Sequence, residues 1–123
     1  MTKKAGIAKK QVGAKVGSSE TIMVLGIPFN IQLVENVDKE DSYGETEGPE
    51  RKIKIKHSLN PSVREATTLH EICHAILYTA GVSEILESHD REGREGKLEE
   101  AVVIALENGL SQLYERKKDL TKD

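Results

Sequence analysis

Five consecutive residues, His70-Glu71-Ile72-Cys73-His74, bring together two metal-ligating imidazoles and a carboxylate able to move a proton. At 3.6 residues per turn, side chains four apart leave the same side of a helix one turn apart, so both imidazoles can reach one ion. This is the HExxH arrangement. In it zinc lowers the pKa of a water molecule and Glu71, as general base, takes the proton. The hydroxide so formed attacks a carbonyl that the ion also polarises, and the carboxyl then protonates the leaving amine. The spacing therefore predicts a zinc metallopeptidase with His70 and His74 as ligands and one Zn2+ per chain. The alternative is a pair of histidines on a polar helix face, or satisfied within a core.

A catalytic zinc needs three protein ligands and one open position. The longer form HExxHxxGxxH is absent, because Leu77 takes the glycine position and no histidine follows at the next step. His89 is the nearest later histidine. Glutamates at the start of a following helix offer another route, and Glu99 and Glu100 both stand there. A helical wheel puts Glu99 near the centre of an apolar stripe and Glu100 toward its edge, above Val103. Either could equally be an acid favoured by the helix dipole, and geometry alone leaves the choice open. Cys73 faces the apolar stripe and reads as a buried thiol. Tyr43, Tyr78, His57 and His89 are the donors that could stabilise an oxyanion, although each is more often a surface or packing residue. His89 with Asp90 could also support the site from behind.

The elements that must position these groups follow from period and punctuation. Asn60-Pro61 is an N-cap followed by a first-turn proline. After it an apolar stripe runs through Val63, Ala66, Leu69, Ile72, Cys73, Ile76 and Leu77, and Gly81 stands where a helix ends. A second helix is predicted from about Leu98 to Glu115, with Val102, Val103, Leu106, Leu110 and Leu113 on one face. Val82 to Gly96 reads as irregular for much of its length. Before the motif, Thr21–Gly26 and Phe29–Val34 form a predicted hairpin, with Phe29, Ile31 and Leu33 turned inward. Glu35 to Glu50 is acidic, holds Gly44, Gly48 and Pro49, and reads as a loop. Arg51–Lys56 (RKIKIK) alternates Ile53 and Ile55 against three lysines, which suit the edge of a sheet. The expected fold class is α+β, with a small, mostly antiparallel three-stranded sheet packed on the HExxH helix and a second C-terminal helix.

With 123 residues the chain fits one domain, and an aromatic fraction of 3% makes the core aliphatic. Residues 1–19 carry five lysines and no acid, and read as a disordered basic tail. The domain itself is expected over 20–117, with 118–123 frayed. Beyond the tail stand 13 basic and 21 acidic side chains. An acidic body argues against nucleic acid as partner, leaving the basic tail as its one weak point of contact. No run of about 20 apolar residues spans a membrane, no apolar segment follows the first lysines as in a secretory signal, and one cysteine suits a reducing compartment. The expected location is cytoplasmic.

The segment TLHEICHAILYTAG, followed by EEAVVIALENGLSQL, resembles the small phage and prophage metallopeptidase-like proteins related to the ImmA/IrrE group. The resemblance covers about Arg51 to Tyr114. It implies a zincin-like fold of the glutamate-zincin (gluzincin) type, whose third ligand comes from the downstream helix. The pattern Glu-x-x-Val-x-x-Leu-x-x-Gly-Leu is met at Glu100, Val103, Leu106, Gly109 and Leu110, which implies Glu100 as that ligand and Glu99 as its alternative. His70 and His74 as ligands and Glu71 as base carry over on the same footing. The resemblance also implies that RKIKIK is the edge strand beside the cleft, open to an extended peptide or protein substrate. A phage-encoded relative would work in the host cytoplasm. The competing function is a metal-binding regulatory or interaction protein with little or no peptidase activity.

Overall fold

A computed structural model describes residues 15–39 and 41–121, with side chains as far as 116. The chain is α+β. Four strands, β1 (Ser19–Val24), β2 (Ile27–Val34), β3 (Gly44–Glu47) and β4 (Lys52–Lys56), are followed by helices α1 (Pro61–Thr79), α2 (Val82–Ser88) and α3 (Lys97–Thr121). Most of the expected basic tail, residues 1–14, lies outside the described residues, as do 122–123 of the C-terminus.

The hairpin forms as expected, with β1 antiparallel to β2 and Val24 opposite Ile27. Its turn is the pair Leu25-Gly26, both at positive φ (50° and 81°). Two such residues give the turn twist that suits a two-residue hairpin, and holding a leucine there costs roughly 1–2 kcal/mol. Strand order is β1-β2-β4-β3. The sheet has four strands where three were expected and is mixed, with two of its three pairings antiparallel. β4 pairs parallel with β2, placing Ile31 beside Ile53 and Leu33 beside Ile55. The acidic stretch read as a loop contains β3, antiparallel to β4. RKIKIK is therefore an inner strand, and the edge is Gly44–Glu47. The lysines of β4 are still explained. They occupy the face away from the core, where the Lys54 ammonium lies 3.0 Å from Glu47 and 3.9 Å from Glu45 on the edge strand.

Helix α1 begins as its sequence dictates. The Asn60 side chain accepts from the Val63 amide, Pro61 takes the first turn, and Gly81 follows the C-cap in the left-handed region (φ 81°). The helix is buried on two flanks. Ile72, Ala75 and Ile76 meet the sheet core of Val24, Phe29, Ile53 and Ile55. Leu69, Cys73 and Leu77 meet Val82, Leu86, Val102 and Val103 of the other two helices. Ala66, expected in the stripe, is exposed, and Ala75, which the expected stripe left out, is buried against the sheet. The segment after Gly81 forms the short α2, more regular than its glycines and charges suggest, because Val82 and Leu86 find that second core. Helix α3 runs on to Thr121, but Leu106, Leu110 and Leu113 of its predicted apolar face are exposed.

Ile55 has no exposed surface and lies at the centre of the sheet–helix core. Ile55→Ala should cost about 2–5 kcal/mol by removing buried methyl groups and leaving a cavity. Met23→Ala, at an exposed position, should change stability by less than about 0.5 kcal/mol. Urea unfolding of the two variants beside the parent checks the contrast.

Candidate metal centre

α1 carries His70 and His74 on its flank toward α3, their rings edge to face with centroids 5.1 Å apart. Glu99 and Glu100 occupy the first turn of α3, where acids are favoured by the helix dipole. That turn is fixed by Asp90, whose carboxylate accepts from the amides of Gly96 (2.8 Å) and Leu98 (3.2 Å). Asp90 therefore serves the start of α3. His89 turns to the Ile85 carbonyl instead, and neither residue supports the histidines as one expectation had it.

The two imidazoles are satisfied on both sides by α3. Glu100 reaches both inner nitrogens, with one oxygen 2.9 Å from His70 Nε2 and the other 3.1 Å from His74 Nε2. Glu99 lies 2.6 Å from His74 Nδ1, and Glu107 meets His70 Nδ1. The two glutamates that the wheel left open therefore do different things: Glu100 joins the histidines, and Glu99 backs one of them. Glu107 has no place in the motif. Its one signal is a spacing of seven from Glu100, two turns along the same face of α3.

His70, His74 and Glu100 each offer a ligand atom, all within 4.8 Å of one another. Two imidazole nitrogens and a carboxylate oxygen are a donor set that suits zinc. Neighbouring ligand atoms of a tetrahedral zinc lie about 3.3–3.4 Å apart, given bonds of about 2.0–2.1 Å. Glu100 lies 2.9 and 3.1 Å from the two Nε2 atoms through different oxygens, so holding such an ion would need side-chain movements that bring one oxygen and both nitrogens to that spacing. The Glu100 side chain is 46% exposed, which leaves one side of the group open.

Glu71, beside the histidines, reaches toward the edge strand. It is buried, and one oxygen accepts from the Thr46 hydroxyl at 2.7 Å, a proton shared with the Glu71 carbonyl at 2.9 Å. β3 comes this close because Gly44 has no side chain. A Cβ there would lie 2.9 Å from Thr67 Cγ2 and 3.1 Å from Glu71 Cγ. Two hollows of about 580 and 560 Å3 adjoin the site and share Ser42, Gly44, His70 and Glu71. Tyr78 lines the first and Tyr43 the second, whereas His57 and His89 line neither. Cys73 is the buried thiol expected, its pKa pushed up by that burial and by nearby Glu107.

Charge and burial compete throughout. Burial raises the pKa of Glu71 above the ordinary carboxylate value, against the Thr46 hydrogen bond and the two histidines. For His70 burial acts to lower the pKa, but the carboxylates of Glu107, Glu100 and Glu71 together outweigh it and hold the pKa above the ordinary value.

A raised carboxyl pKa means that the folded chain holds a proton the unfolded chain has released. Its contribution to stability is present below the unfolded value, about 4.3, and is lost as pH rises through the folded one. Metal-free Glu71→Gln should therefore melt higher than the parent at neutral pH. That gain should shrink as pH falls to about 4, where the parent carboxyl is protonated in both states. Paired thermal melts across this range check the sign.

Comparison with known protein families, curated proteins and solved structures found no match to this chain.

Proposed function

We propose that the chain is a zinc-dependent metallopeptidase of the glutamate-zincin type, akin to the ImmA/IrrE group. One observation carries the reading: Glu100 meets the inner nitrogens of both histidines of an HExxH helix, beside a buried glutamate and an open cleft. His70, His74 and Glu100 would hold the ion. When bound, zinc would supply a lowered water pKa and polarisation of the substrate carbonyl.

The remaining chemistry falls to the chain's own groups. Glu71 takes a proton from the attacking water and later gives it to the leaving amine nitrogen. Its raised pKa suits both roles, since a carboxyl nearer the working pH gives back a proton as readily as it takes one. Thr46 fixes the carboxylate by its hydrogen bond, which limits the orientations that must be lost on reaction. Tyr43 and Tyr78, each lining one of the hollows, are the phenols available to steady the developing oxyanion. The substrate is a peptide or protein. Among the described residues no helix is long and apolar enough to cross a membrane.

Zinc-loaded protein should cleave casein or a mixed peptide library, and chelation should stop it. Glu71→Gln should keep its zinc and lose about 100- to 10,000-fold in rate, the span expected for removing a general base. Parental rates in that variant would overturn the mechanism. Tight zinc binding with no cleavage of any peptide would favour a metal-binding regulatory protein instead.

A further inference from the structure

We propose that Glu99 and Glu107 are positioning residues that fix which nitrogen of each histidine faces the metal position, and so set its affinity. The proposal rests on the metal reading above and assigns a role to two carboxylates that the HExxH motif does not contain. A neutral imidazole carries its proton on one nitrogen and a lone pair on the other, and only the lone pair can ligate. An ionised carboxylate accepts hydrogen bonds and donates none. Glu99 on His74 Nδ1 and Glu107 on His70 Nδ1 thus require the proton on Nδ1 in both rings. Glu100 lies at hydrogen-bond distance from both Nε2 atoms, so an ion held there would take the place of the Nε2 protons while the Nδ1 protons stay on Glu99 and Glu107.

The order of the contacts shows how one helix serves both rings. The later histidine of α1 meets the earlier glutamate of α3, and the earlier histidine meets the later one. The two helices therefore run antiparallel past each other at this point. Glu99 and Glu107 stand about 12 Å apart along their axis, and the histidines about 6 Å apart along theirs. The two carboxylates bracket the pair from outside, and Glu100 lies between.

The test uses the full chain with zinc as the only added metal. In the zinc-loaded protein, long-range proton–nitrogen NMR should find both His70 and His74 protonated at Nδ1 and free of hydrogen at Nε2. Zinc affinity, read by competition with a chromophoric chelator, should fall about 10- to 100-fold in Glu99→Ala and in Glu107→Ala. Glu99→Gln and Glu107→Gln should recover most of it, because the amide oxygen still accepts from Nδ1. Affinities in the alanine variants within about twofold of the parent would overturn the proposal, since supporting carboxylates of this kind are worth far more. So would zinc-loaded parental rings that bind through Nδ1 and keep the proton on Nε2, a measurement that needs no variant to fold. A parent that takes no zinc at all would instead overturn the metallopeptidase reading itself.

Discussion

Two imidazoles and four carboxylates share the space between α1, the edge strand and α3, and their charges constrain everything around them. Carboxylates gathered round two imidazoles repel one another, by about 4 kcal/mol for like charges about 4 Å apart even at an effective dielectric of 20. Two neutral histidines do not offset that. The chain can respond by holding a proton, as the pKa of His70 reflects, raised by its carboxylate neighbours against the effect of burial, or by accepting a cation. A divalent ion between the two Nε2 atoms and Glu100 would relieve the same repulsion that the proton relieves. The site's electrostatic strain and its proposed function are thus one property.

The scaffold keeps that strained group in place by burying α1 on two sides. The sheet core holds its Ile72, Ala75 and Ile76 flank, and the core shared with α2 and α3 holds Leu69, Cys73 and Leu77. The histidines lie beside the second flank, which explains why α3 can reach them with three glutamates while its own anchor, Val103, stays fully buried. The edge strand completes the arrangement from the opposite side, through Gly44 and Thr46. Beyond Val103 the apolar side chains of α3, Ile104, Leu106, Leu110 and Leu113, are exposed.

What could be read from the sequence was what depends on local chemistry. Asn60, Pro61 and Gly81 delimit α1 because caps and terminal glycines act within a few residues. The hairpin and the alternation of Ile53 with Ile55 were legible for the same reason. β3 was hidden, since Gly-Glu-Thr-Glu has no apolar alternation and becomes a strand only because β4 offers it a partner and Lys54 offsets its acids. The parallel pairing of β2 with β4 is a long-range choice that no local pattern encodes. At the site, His70, Glu71 and His74 announced themselves by spacing. Telling Glu99 from Glu100, and giving Glu107 any role, required the direction in which α3 crosses α1.

The measurement that bears most directly on this account is zinc content per chain in the purified protein and in its Glu100→Ala and Glu99→Ala variants. The account predicts one zinc in the parent, loss of it with Glu100, and a retained but weakened site with Glu99. A parent that takes up no zinc when it is supplied would contradict it, and would leave the two histidines as structural links between helices.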